Sequence, residues 1–295
     1  MTESSTVTES STVTAPTTTP QHGVSFGGII RSEWIKLVSL RSTLWCYLIV
    51  IVLTIGLGFL IAGLAGSTAG AGRGPQAAVP VQPQQLWVQV ATIGIGFAQL
   101  VSAVLGALII TGEYGTGMIR STFAAVPTRL PAIVAKALVF GVVTFVVSLV
   151  SIIATALLTA PLLSARGFAP DLGDGQAWWS MIGGAGYIVL IGLLSFSIGT
   201  LLRNSAGGIA TSLGLILVVP TIVEIFAGLT KIDWVQNLGT FLPSSAGAVM
   251  HSYPSTAAAA TNLIVLTPVE GFLVLAAWIV VLFGVAATLV SRRDA

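Results

Sequence analysis

Six long stretches of this chain carry almost no charge, and nothing else narrows its possible folds as far. A helix needs about 20 largely apolar residues to cross the hydrocarbon core of a bilayer. The stretches at 44–64, 88–110, 133–160, 181–202, 207–228 and 271–290 meet that requirement. Across the whole sequence only 7% of residues are charged, against about 25% in a soluble domain. A folded chain this poor in charge turns much of its surface to a solvent other than water. In hydrocarbon every backbone N–H and C=O needs an internal partner, and a helix supplies one for each. The expected fold class is an all-α membrane protein with six transmembrane helices. The third run is longer than a bilayer needs, which predicts tilt or protrusion. Only a short RNSAG turn around Arg203 separates the fourth and fifth runs, so they form an antiparallel hairpin.

The N-terminus reads differently. The hexapeptide TESSTV occurs twice in tandem, at 2–7 and 8–13, in a stretch of Thr, Ser, Glu and Pro. Such a segment cannot bury enough apolar surface to offset its ordering entropy. Residues 1–22 are therefore expected to be a disordered tail, and 23–295 a single transmembrane domain. The tail lacks the basic start and apolar centre of a signal peptide.

Basic residues set the orientation, because cytoplasmic loops carry an excess of Lys and Arg. With the N-terminus inside, Arg31, Lys36, Arg41, Arg120, Arg129, Lys136, Arg203, Arg292 and Arg293 fall on the cytoplasmic side. Arg73, Arg166 and Lys231 fall outside, a bias of nine to three. Both termini are then cytoplasmic. Trp45 lies near the inner end of the first span, and Trp87, Trp178, Trp179 and Trp234 near predicted outer ends, where indole rings favour the interface. Trp278, inside the sixth run, reads as a packing residue. Small residues at a spacing of four, Ala98–Ser102–Gly106 and Ala210–Gly214, mark faces where helix backbones can approach closely. The single cysteine, Cys46, reads as a small apolar side chain in the first run.

Two segments at the cytoplasmic side have the character of contact elements. Residues 26–41, FGGIIRSEWIKLVSLR, place Phe26, Ile29, Ile30, Trp34, Leu37, Val38 and Leu40 on one broad helical face. Arg31, Ser32, Lys36 and Ser39 take the other, while Glu33 and Ile35 break the pattern. This is the composition of an amphipathic helix lying in the membrane interface. Glu33 and Lys36, one turn apart, can pair. Residues 111–132, TGEYGTGMIRSTFAAVPTRLPA, form the longest cytoplasmic connection. Its glycines permit sharp turns, and Met118, Ile119, Phe123 and Val126 can line a short helix.

The run RSEWIKLVSLRSTLW followed by a span resembles the opening of ABC-2 type permeases, the membrane subunits of bacterial ABC exporters. The run GEYGTGMIRSTFAAVPTRLPAIVAKAL resembles the same family's first cytoplasmic loop entering the third span. The two runs cover about 40 residues, and the six-span layout covers nearly the whole chain. The resemblance implies the ABC-2, type V exporter-like fold. It makes 26–41 the elbow helix, with Arg31, Glu33, Trp34, Lys36, Leu37 and Arg41 as its contact residues. It makes 113–126 the coupling helix that seats in an ATP-binding subunit, through Glu113, Tyr114, Gly115, Thr116 and Arg120. It also places short re-entrant helices between the fifth and sixth spans, where FLPSSAGAVMHSYPSTAAAATNLIVL (241–266) stands.

Two carboxylates lie near span ends. Glu270 opens the sixth run after Pro268, where the helix dipole favours an acid. Glu224, beyond Pro220 in the fifth run, has two open readings: contact with a cationic substrate along the transport path, or a solvated place at the interface. No phosphate-cradling G-x-x-x-x-G-K-[ST] is present, and neither is H-E-x-x-H or G-x-S-x-G. His22 and His251 are far apart, and no metal cluster is legible. The expectations are therefore a permease without catalytic residues, metal or bound cofactor, using a separate ATP-binding chain that consumes ATP and Mg. It would work as a homodimer or with a paired homologous permease, among lipids of the plasma membrane, without nucleic acid. A secondary transporter or channel is the first alternative. An intramembrane enzyme and a membrane anchor or sensor follow it.

Overall fold

The structure, a computed structural model, describes residues 25–65, 82–118, 130–230, 232–254 and 264–292. The expected tail 1–22, Arg120 with the rest of 119–129, and 255–263 lie outside the described residues. Among the described residues all regular structure is helical. Six helical stretches are long and apolar enough to span a membrane: Arg41–Leu64, Pro83–Gly115, Leu130–Ser164, Gly175–Leu202, Ser205–Thr230 and Pro268–Leu289. The chain is a multi-pass membrane protein by this measure, as its apolar runs predict.

Helix α1 (Phe26–Ser39) precedes the first span, and the Ser25 side chain caps it by accepting from the Gly28 N–H at 3.2 Å. Leu40 is extended and turns the chain into α2 (Arg41–Leu64). The second span is two helices, α3 (Pro83–Thr92) and α4 (Ile95–Gly115), broken at Ile93 and Gly94. The break has a packing cause. A Cβ on Gly94 would lie 2.4 Å from Thr54 Cα, so only glycine lets α2 come this near.

The third span is α5 (Leu130–Ser164), 35 residues long with Pro161 near its end. It exceeds the expected 133–160 in both directions. Helix α6 (Gly175–Leu202) follows, capped by Asp174 and closed by Arg203 in the left-handed region at φ 55°. The Asn204 side chain then caps α7 (Ser205–Leu213), which completes the expected hairpin. The fifth span continues through a π-helical turn, Gly214–Val218, into α8 (Val219–Thr230). Pro220, just beyond the turn, has no N–H to give to the ladder, which is where such irregular turns arise. Two short helices, α9 (Asp233–Thr240) and α10 (Pro243–Val249), lead to α11 (Pro268–Arg292).

Helices α4 and α6 form the centre of the bundle. Against them pack α7 and α11, while α5 lies along α2 and α6. The Ala98–Ser102–Gly106 face predicted from sequence is the seam. The Ser102 hydroxyl donates to Ile188 O at 2.9 Å, and a Cβ on Gly106 would sit 2.2 Å from Gly192 O. This close contact lies within one chain. The second small-residue face resolves differently. Ala210 is exposed, and a Cβ on Gly214 would meet nothing within 4 Å. Gly208 and Ser212, two residues earlier in each case, are buried instead. Large apolar side chains of α2, α8 and α11, such as Phe59, Ile222 and Val280, stay exposed, as a lipid-facing surface requires.

Trp87 corrects the interfacial expectation for that residue. It is fully buried, stands edge-on to Trp178 at 5.5 Å, and donates its indole N–H to Ala156 O at 2.9 Å. Trp179 and Trp234 are 69% and 65% exposed, as an interfacial position asks. Trp278 packs against the core and donates to Phe241 O at 3.1 Å, matching its expected packing role.

Candidate functional site

Four charges converge where α1, α4 and α5 meet. Glu33 comes from α1 and is 3% exposed; Glu113 ends α4 at 5%; Lys136 lies in the second turn of α5 at 6%. Lys36, one turn along α1, is partly exposed and closes the group. Lys36 Nζ donates to Glu33 Oε1 at 2.8 Å and to Glu113 Oε1 at 3.3 Å. Lys136 Nζ donates to Glu113 Oε1 at 2.8 Å and to Glu33 Oε2. Two carboxylates and two ammonium groups cancel, so the cluster is formally neutral. Burial opposes the charge on Lys36, but its hydrogen bond to Glu33 and the Glu113 charge outweigh it and raise its pKa.

Local sequence builds this arrangement. Ile29, Glu33 and Leu37 recur every fourth residue and form the buried stripe of α1. Glu33, which breaks the apolar face in the sequence, is thus the residue the fold turns inward. Trp34, Val38 and Leu40 are exposed beside it, as an interfacial helix needs. Arg31 and Arg41 are exposed as well. The expected Glu33–Lys36 pair is present, inside a larger network.

The residues singled out for coupling divide. Glu113 does not offer its charge to the surface, because both lysines hold it inside. Tyr114 is half-buried, and the Arg203 guanidinium stands 5.2 Å from its ring centre, so the α6–α7 turn meets the end of α4. Gly115 and Thr116 are exposed, and Thr116 closes the helix by donating its N–H and hydroxyl to Gly112 O. Gly117 follows at φ 73°, a conformation that favours glycine. Sequence reasoning counted Lys136 only for orientation. The available signal was a cation inside a long apolar helix, which asks for a buried partner.

The opposite end of the bundle carries a second feature. A cavity of about 470 Å³ is lined by Gln85, Gln89, Gln99, Tyr187, His251 and Tyr253 among others. All six are uncharged hydrogen-bonding groups at neutral pH, since burial pushes His251 down to about 4. The Tyr187 hydroxyl donates to Gln99 Oε1, and the Tyr187 and His251 rings lie 5.7 Å apart. Tyr253 donates to Asp174 at 2.8 Å and holds that carboxyl below its usual range. The cavity is roofed by the segment after α10, within the stretch expected to form short outer helices. That stretch packs tightly: a Cβ on Gly247 would meet the Tyr187 ring at 2.1 Å, and one on Gly271 would meet Ala246 O at 2.3 Å.

Glu224 is exposed on α8 and lines a shallower cavity with Gln236, Thr240 and Ser245, apart from the larger one. Glu270 accepts from the Thr267 N–H at 2.7 Å and Thr267 hydroxyl at 2.9 Å, a capping arrangement at the start of α11. Among the described residues no group of three or more His, Cys, Asp or Glu is placed to hold a metal ion. No protein-family model matches the chain, and no curated protein matches it.

Proposed function

We propose that this chain is the membrane subunit of an ABC-2 type exporter, powered by a separate ATP-binding chain and working as a pair of permease subunits. The observation that carries the proposal is the charge cluster that locks α1, the end of α4 and the start of α5 into one block. A permease driven from outside needs such a block, because motion imposed on its exposed loops has to reach the spans. In this reading Gly115, Thr116 and the segment through Arg120 touch the ATP-binding subunit. Glu113 transmits that contact inward rather than making it. ATP and Mg act in the partner. The polar cavity at the opposite end, lined in part by α10 and the segment after it, is a natural part of the path, while Glu224 lines a separate cavity.

The first test is energetic. The purified chain alone hydrolyses no ATP, and co-expression with its ATP-binding partner yields a complex with two copies of each chain. Thr116→Pro, at the exposed end of α4, lowers transport per inserted molecule while insertion persists. ATPase activity in the isolated chain, or full transport by the variant, sinks the proposal.

A secondary transporter or channel is the second reading, favoured by the buried carboxylates of Glu33 and Glu113. Their neutral pairing with lysines favours a structural block. Substrate flux through the isolated chain in liposomes without ATP would select this alternative.

Orientation is tested separately, in a Cys46→Ser background. The plasma-membrane layout with both termini cytoplasmic puts Thr116 inside and Gly173 outside. A membrane-impermeant thiol reagent applied to whole cells should label Gly173→Cys and spare Thr116→Cys. The reverse pattern inverts the topology.

A further inference from the structure

A polar stripe runs along the second span at the end opposite the charge cluster. Gln85, Gln89, Thr92, Gly96 and Gln99 follow one another at spacings of four, three, four and three, so they share one helical face across the break at Ile93 and Gly94. All five line the cavity of about 470 Å³. Gln89 lies about 9 Å along the helix from Pro83, and Gln99 is the middle residue of Pro83–Gly115. Gln99 is already engaged: its side-chain oxygen accepts from Tyr187, and its amide donates to Gly96 O at 3.2 Å. Gln85 and Gln89 are not. Both line the cavity and are exposed, so a molecule in it can reach them, and neither side chain has a hydrogen-bond partner among the described residues. A carboxamide cut off from water without a partner is costly, so at membrane depth these two groups call for one.

The rest of the wall says what chemistry fits. Among the described residues no Asp, Glu, Lys or Arg lines the cavity; Asp174, which accepts from Tyr253, is not a lining residue. A charged ligand would shed its water here and meet no counter-charge. Carboxamides, hydroxyls and a neutral imidazole each offer donor and acceptor together, and Gln85, Gln89, Ser252 and His251 supply all three kinds. A ligand hydroxyl is likewise both donor and acceptor. Ile93 and Ala248 add exposed apolar wall. The volume is that of an ordinary small-molecule site.

We propose that this cavity binds a neutral amphiphile whose head group is a cluster of hydroxyls, a glycoside being the type. The Gln85 and Gln89 carboxamides hold the hydroxyls, and the apolar part lies along Ile93 and Ala248. Calling that molecule cargo rests on the exporter reading; the binding itself does not. Two sources share the chemistry: a glycolipid of the leaflet on that side, and a single-chain glycoside in transit.

Protection of a cysteine from a thiol reagent tests the site in the full chain, in membranes, with neither ATP nor a partner chain. The reporter is Ser252→Cys in the Cys46→Ser background, since Ser252 is exposed and lines the cavity. The probes share one alkyl chain: hexyl glucoside, hexanol, hexylammonium and hexanoate. Hexyl glucoside should protect at a concentration about tenfold below the other three, the scale of one or two net hydrogen bonds. Gln85→Leu with Gln89→Leu should bring it to the level of hexanol. Should that pair fail to fold, Gly96→Leu fills the cavity instead, because a Cβ there meets nothing within 4 Å, and it should abolish protection. Protection also by a glucosyl diacylglycerol placed in the bilayer assigns the site to a lipid; protection by hexyl glucoside without it assigns the site to single-chain glycosides. Equal protection by hexanol or by either charged probe overturns the proposal. So does protection by none of them, or a glucoside preference that survives the variants. ATPase activity in the isolated chain would remove the exporter reading and leave this binding untouched, so the two fail separately.

Discussion

Lys136→Met is expected to destabilise the protein by about 3–5 kcal/mol, the usual consequence of removing one partner from a buried ion pair. Among the described residues Lys136 is the one buried cation that contacts both Glu33 and Glu113. Without it two buried carboxylates face each other across α1, α4 and α5, and the partly exposed Lys36 serves both alone. A loss of that size is a large share of the about 5–15 kcal/mol that stabilises a folded domain. The variant should therefore reach the membrane fraction poorly, and what is purified should melt well below the parent. Adding Glu113→Gln to Lys136→Met removes one of the stranded charges and should recover part of the loss. The coupling between the two substitutions, read from thermal midpoints of all four proteins, distinguishes a charge effect from lost packing. A single variant that melts with the parent shows that the cluster holds nothing together.

Gly106→Leu is the second large effect, and it works through volume. Gly106 on α4 and Gly192 on α6 meet backbone to backbone. A Cβ at position 106 would lie 2.2 Å from Gly192 O and 3.0 Å from Gly192 C. Position 192 is equally closed, with Ser102 Oγ at 2.5 Å and Phe140 Cζ at 2.7 Å. No flexible side-chain end can move away from Gly106, so the helices themselves must part. Overpacking of this kind costs about 1–3 kcal/mol or more. Parting the helices also endangers the Ser102–Ile188 hydrogen bond, worth about 1 kcal/mol. Even Gly106→Ala should destabilise, against the gain of up to about 1 kcal/mol that alanine brings to a helix interior. Gly96→Ala is the matched control, because its Cβ meets nothing within 4 Å. Thermal midpoints should fall for the first and hold or rise for the second. A midpoint for Gly106→Ala at or above the parent removes the close seam between α4 and α6.

The two predictions also divide what was readable. The Ala98–Ser102–Gly106 face was visible in sequence because helical periodicity places residues four apart on one side. Its partner was not, since small residues advertise closeness without saying to what. The same signal misled at Ala210 and Gly214, where the fold uses Gly208 and Ser212 instead. Trp87 was misassigned for a related reason. Position near a span end predicts an interfacial ring, but the carbonyl of Ala156 offers the indole N–H a buried partner 69 residues away.

By itself the sequence determined the number and approximate limits of the spans, the hairpin at Arg203 and the Glu33–Lys36 pair. These follow from local quantities: the length of apolar runs, the helical period and the chemistry of short turns. Tertiary structure alone decided the rest. It brought Glu33, Glu113 and Lys136 together from positions 103 and 23 residues apart. It turned Glu113 inward from a loop that reads as a surface, and it gathered Gln85, Gln99, Tyr187 and His251 around one cavity. The physical reason is that a buried charge and a polar cavity in lipid are satisfied by whichever helix packs nearby. That choice depends on shape across the whole bundle, which no local stretch of sequence carries.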